Sequence, residues 1–68
     1  MTKLQLYVRN KFKTQEKFAK SVGINRTMAH NYLTGKTPMS LDFAVIIADK
    51  LGCEIQDIYS FVKEEAKP

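Results

Sequence analysis

The stretch from Gln15 to Gly35 constrains this chain more than any other. Phe18, Ala19 and Val22 recur at helical spacing, Gly23 follows, and Ala29, Tyr32 and Leu33 then repeat the helical pattern. The spacing predicts two short helices joined by a turn. Helices joined so tightly cross steeply and touch only where side chains are small, which Ala19 and Ala29 are. Gly23 supplies the left-handed residue that ends the first of them, where a side chain would be strained. Ile24 fills the space beneath the turn, and Asn25 is a favoured N-cap for the second helix. One alanine or glycine would be weak evidence; agreement among several independent positions is strong evidence.

The flanking sequence reads as further helices. Thr2 and Gln5 have capping-box spacing, and Leu4, Tyr7, Val8 and Phe12 form an apolar stripe, so the first helix is expected over about 3–11. Thr14 caps the second, with Glu16 placed favourably in its first turn. Gly35 and Pro38 end the third. Ser40 and Asp42 open a fourth, built on Ala44, Ile47, Ala48 and Leu51. Phe43, Val45 and Ile46 widen its apolar stripe, so this helix is expected to be central and covered on most sides. Gly52 stops it. Ile55, Ile58, Tyr59 and Val62 mark a fifth, and the polar residues 63–68 are expected to fray. No period-two pattern is present. The predicted fold class is all-α, a five-helix single domain over residues 1–68.

A chain of 68 residues buries only about 60% of its unfolded surface, so its stability is marginal. Disulfides cannot help within the chain, because Cys53 is the single cysteine, and a reduced, cytoplasmic setting is expected. No run approaches the ~20 apolar residues of a membrane span, and the N-terminus lacks a signal-peptide pattern. The net charge of +4 is modest but uneven. Residues 1–36 hold eight basic residues against Glu16 alone, a balance of +7, whereas residues 37–68 hold three basic and six acidic ones, a balance of −3. The basic half contains the two-helix unit. Such asymmetry fits a polyanionic partner or an ordinary solvated basic surface, and charge alone does not choose between them.

The outward face of the second helix of that unit tilts the balance toward the polyanion, although polar residues cover any surface helix. With Ala29, Tyr32 and Leu33 inward, Thr27, His30, Asn31 and Thr34 point outward, and Arg26 and Met28 flank the boundary. Asparagine bonds adenine in bidentate fashion, arginine bonds guanine, and threonine offers a hydroxyl and a methyl. Arg26 sits in a first helical turn, where a cation opposes the helix dipole by a few tenths to ~1 kcal/mol. No acid lies within 25–39 to offset it; an incoming phosphate or guanine would. The layout is that of a helix-turn-helix, whose second helix enters the major groove of double-stranded DNA.

Here the chain resembles the lambda-type Cro and repressor family of phage and bacterial regulators. The resemblance lies in Gln15, Ala19, Gly23, Ile24, the Tyr32 to Lys36 exit, Leu51-Gly52-Cys53 and the Ile55/Ile58 pair, and it covers roughly residues 4–60. It implies a lambda-repressor-like fold and a Cro-type repressor acting as a homodimer, at least on DNA, at a palindromic operator. It also implies roles. Arg26, Thr27 and Asn31 would read bases, and Asn25, Met28 and His30 would lie beside bases or phosphates. Gln15 would bond a phosphate and brace the third helix, Lys36 and the Thr37 backbone would grip phosphates, and Thr14 and Lys17 would add further phosphate contacts. The chain departs from the pattern at Arg26 and Thr27, where glutamine is common, at Glu54, where Ser or Thr often caps, and at Lys13, where an apolar residue is usual. For Lys13, either Phe12 fills that space or the first helix ends differently.

Catalysis has no foothold in the sequence. His30 and Cys53 are the only histidine and cysteine, without metal-ligand spacing or a partner base, so no enzyme, cofactor or metal is expected. A protein-interaction or antitoxin-like module would show acidic or apolar residues on the outward face, which is polar and basic instead. A structured-RNA binder would need an aromatic stacking platform, whereas the aromatics fall mainly at core spacings. Phe61 lies off its helix's stripe. It is either an exposed dimer contact or a residue folded back on the core after a helix ending near Ser60, and Val45 and Ile46 pose the same choice.

Overall fold

Five helices form where the caps and apolar stripes place them. The computed structural model describes residues 1–66. The helices are α1 (Lys3–Phe12), α2 (Gln15–Val22), α3 (Arg26–Thr34), α4 (Leu41–Leu51) and α5 (Ile55–Lys63). Thr2, Thr14, Asn25 and Ser40 each accept the backbone N–H three residues on, so four starts are capped by side chains as their sequences require. At the fifth, the Asp57 carboxylate accepts the Glu54 N–H at 3.2 Å, the return half of a capping box.

Leu4, Val8, Phe18, Leu33, Ile47 and Ile58 are fully buried, with Ala29 and Ala44 between them. Every helix contributes to this core. Ala19 and Ala29 are 2% and 0% exposed, and α2 and α3 form the most extensive helix pair, as small residues at the crossing demand. Gly23 adopts φ +77°, ψ +31°. The Ile24 N–H then reaches back to the Ala19 carbonyl at 3.0 Å and the Gly23 N–H to that of Lys20 at 3.4 Å, the paired bonds of a Schellman turn.

Thr2 links two helices. Its hydroxyl accepts the Gln5 N–H at 3.1 Å and donates to the Leu33 carbonyl at 2.6 Å, while Gln5 Oε1 accepts the Thr2 N–H at 2.8 Å. The N-terminus of α1 is thereby tied to the C-terminal turn of α3.

The structure corrects several expectations. α1 runs to Phe12 and ends at Lys13, a non-glycine residue with φ +76° and ψ −44°. Phe12 turns onto Phe18, ring centroids 5.5 Å apart, and packs against the core. Such backbone costs of order 1–3 kcal/mol. α4 is not covered on most sides: Leu41, Val45 and Ile46 are 61%, 44% and 43% exposed, because its neighbours pack only on the side of Phe43, Ala44, Ile47, Ala48 and Leu51. Phe61 is neither an exposed contact nor beyond the helix. It stays within α5, half-buried, and stacks on Tyr7 at 4.6 Å. Residues 64–66, expected to fray, are instead paired with the N-terminus. Lys3 N–H donates to Glu64 O at 2.8 Å and Ala66 N–H to Met1 O at 2.9 Å, with an isolated antiparallel bridge between Thr2 and Glu65. Ion pairs from the Met1 ammonium to Glu65 and from Lys3 to Glu64 accompany it, at 3.0 and 3.1 Å. Residues 67–68 lie outside the described part of the chain.

Candidate nucleic-acid interface

The interface is assembled at the start of α2 and along the outward side of α3. Gln15, Arg26, Thr27 and His30 line one shallow cleft of about 250 Å³. Arg26, Thr27, Met28 and His30 are exposed, and Asn31 is half-buried. Among the described residues, the side chains of Arg26, Thr27 and Asn31 make no hydrogen bond within the protein and remain free to bond a ligand. The sequence-predicted base readers therefore share one side of one helix.

Other predicted residues have prior engagements. Asn25 Oδ1 accepts the Met28 N–H at 2.8 Å, so only its amide NH₂ is open to a ligand. Thr14 Oγ1 accepts the Lys17 N–H at 3.2 Å but keeps its own proton to donate. The Thr37 N–H, expected to grip a phosphate, donates to the Asn31 carbonyl at 3.1 Å, because the chain curls back after Gly35. What Thr37 can offer is its hydroxyl. Thr34, expected to point outward, is half-buried and returns its hydroxyl to the His30 carbonyl at 2.8 Å. The expected brace from Gln15 to α3 is not made through Oε1, which is buried without a partner. Lys17 and Lys36 are exposed.

Charge is arranged to suit a polyanion. In the basic half, Lys3 pairs with Glu64 and Lys20 with Glu16 at 3.8 Å. Arg9, Lys11, Lys13, Lys17, Arg26 and Lys36 form no ion pair among the described residues. Glu16 shares a depression with Arg26 yet pairs with Lys20 instead. The uncompensated cations thus surround the start of α2 and both ends of α3.

Sequence reasoning missed the α1 side. Gln5, Arg9 and Lys13 line a cleft with Thr14, Gln15 and His30, directly beside the first. The four-residue spacing of Gln5 and Arg9 was the available signal, since it places them on one side of α1, whereas Lys13 follows the helix end. A larger cleft of about 390 Å³ lies at the other end of α3, among Tyr32, Thr37, Met39, Tyr59, Val62 and Lys63, and includes none of the base-facing residues.

No group of three or more His, Cys, Asp or Glu converges among the described residues. Burial, with Asp57 and Glu54 nearby, pushes the Cys53 thiol up. No helix among the described residues is long and apolar enough to cross a membrane.

The helix-turn-helix family model HTH_3 matches residues 8–58, three quarters of the chain. No curated protein and no solved structure gives a significant match. The matched span begins within α1 and ends within α5, and it takes in the capped α2–α3 unit and its free hydrogen-bonding face. The chain belongs to the Cro/repressor-type helix-turn-helix family of DNA-binding regulators.

Proposed function

We propose that this protein is a sequence-specific transcriptional regulator of the Cro type, a bacterial or phage-encoded repressor that lays α3 in the major groove of its operator. The observation that carries the reading is the row of exposed, uncommitted side chains on α3, held beside the capped start of α2 and free of ion pairs. Arg26, Thr27 and Asn31 are the base readers. Met28 suits an apolar contact such as a thymine methyl, and His30 and the Asn25 amide are placed to bond a base edge or phosphate. Thr14, the Gln15 amide and Lys17 hold phosphates on one side of the groove, and Lys36 and the Thr37 hydroxyl do so on the other.

Two copies on a palindrome would place their α3 helices about one DNA turn apart, ~34 Å. The exposed Leu41, Val45 and Ile46 give α4 an apolar face suited to a second copy. Repression then follows from occupancy, without a cofactor.

Selection from random duplex DNA, followed by a salt titration of the enriched site, tests the proposal. An enriched palindrome with affinity falling steeply with salt is expected. Absence of enrichment at low salt refutes it. For the dimer, the V45K/I46K double variant should bind a single half-site as the wild type does and lose cooperativity on the full palindrome. Unchanged cooperativity would rule out α4 as the dimer face.

A further inference from the structure

We propose that Arg9 on α1 and Lys13 at its C-terminal cap form a second phosphate-binding ridge, which holds the backbone of duplex DNA alongside the base-reading side of α3. The inference rests on the DNA-binding reading above and adds residues to that surface.

Three observations carry it. First, Gln5, Arg9 and Lys13, spaced four apart, line a cleft of about 290 Å³ with Thr14, Gln15 and His30. Gln15 and His30 also line the cleft of Arg26 and Thr27, so the two are continuous and share a border. No carboxylate lines either one. Second, Gln5 is committed through Oε1 to the Thr2 N–H, whereas Arg9 and Lys13 are exposed and without an ion pair among the described residues. Met1 also lines the cleft, but its ammonium is paired with Glu65, so Arg9 and Lys13 are the cleft's unpaired cations, beside Thr14, Gln15 and His30. Third, Lys13 holds φ +76°, a backbone that glycine adopts freely. A lysine there sets its ammonium one residue before the cap of α2.

The end of α1 gives a competing reason for a cation at Lys13, since the C-terminal dipole favours one. A lysine serving only that dipole would leave DNA binding untouched when replaced, and this difference makes the inference testable.

The full chain would be titrated by fluorescence anisotropy with a selected duplex across 50–300 mM salt. Each phosphate contact contributes a slope of about 0.9 in log K against log salt. Arg9→Gln and Lys13→Gly should therefore each lower the slope by about one, and affinity about fivefold at 0.15 M salt. Lys13→Gly relieves the positive φ, so its melting temperature should match or exceed that of the wild type, and loss of binding could not be ascribed to unfolding. Lys13→Arg should retain affinity. Lys50→Gln, a cation on α4 outside both clefts, should leave the slope unchanged. If Arg9→Gln and Lys13→Gly keep the wild-type slope, or if Lys50→Gln lowers it equally, the ridge is overturned and the DNA-binding reading stands. If the wild type shows no salt-dependent duplex binding, both fall.

Discussion

Replacing Thr2 by valine removes one hydroxyl and changes little else in shape, yet it should be among the costliest single substitutions in this chain. Thr2 is 8% exposed, and its oxygen serves two helices. It accepts the Gln5 N–H, and losing such a cap costs about 1 kcal/mol. It also donates to the Leu33 carbonyl. That carbonyl lacks its usual helical partner four residues on, because the Thr37 N–H is bonded to Asn31. Valine would leave it buried and unsatisfied, at about 1–3 kcal/mol. Together the two losses amount to about 2–4 kcal/mol. At about 4–8 °C per kcal/mol for a domain of this size, the midpoint should fall by roughly 8–32 °C. Thr14→Val supplies the comparison, since the Thr14 hydroxyl caps α2 at an exposed site and bonds nothing else within the described protein; about 1 kcal/mol is expected. Thr2→Ser, which keeps the hydroxyl, should cost less than either. Circular dichroism melts and urea titrations at low temperature measure all three. A Thr2→Val cost no larger than that of Thr14→Val would refute the claim that Thr2 joins α1 to the end of α3.

Gly23→Ala should cost about 1–2 kcal/mol, seen as a midpoint lowered by roughly 5–15 °C, because a Cβ there meets no atom within 4 Å and only the left-handed backbone opposes it. Stability should also fall in acid through Glu64, whose carboxyl is held below its ordinary value of 4.5 by hydrogen bonds from Ser60 at 2.7 Å and Lys3 at 3.1 Å. A lowered folded-state value means the contribution is complete above the unfolded-state value and is lost as pH falls through the folded-state value. Glu64→Gln should flatten the dependence of the midpoint on pH from about 4.5 downward, and an unchanged curve would show that Glu64 carries none of it.

Much of the fold is legible in the sequence because it is locally encoded. Thr2, Thr14, Asn25 and Ser40 announce helix starts by bonding backbone three residues away, and Gly23 ends α2 by its own dihedral preference. Ala19 and Ala29 were legible because the crossing leaves no alternative to a small side chain. The misjudged features depend on groups distant in sequence. Whether Val45 and Ile46 are covered is decided by which side of α4 its neighbours α1 and α5 occupy, and helical periodicity does not encode that. Residues 64–66 pair with Met1, Thr2 and Lys3, more than sixty positions away. Lys13 gave no sign of its positive φ, since Phe12-Lys13-Thr14 contains no glycine or asparagine.

The candidate site divides along the same line. The side of α3 that carries Arg26, Thr27, His30 and Asn31 follows from the wheel. The commitments of the Asn25 oxygen, the Thr34 hydroxyl and the Thr37 amide depend on how the chain closes around the ends of α3. The α1 ridge required the packing of α1 beside α2 and α3, which sequence spacing alone does not supply.

The central claim is that α3 reads base edges, and Asn31→Ala tests it most directly. Its side-chain amide is uncommitted, and the substitution removes nothing that holds the helix. Binding of wild type and variant should be measured against every single-base change in the selected site. The account predicts a loss of about 1–3 kcal/mol confined to one base position, where discrimination relaxes. A loss equal across all sequences would make Asn31 a backbone contact, and no loss at any position would contradict α3 as the reading helix.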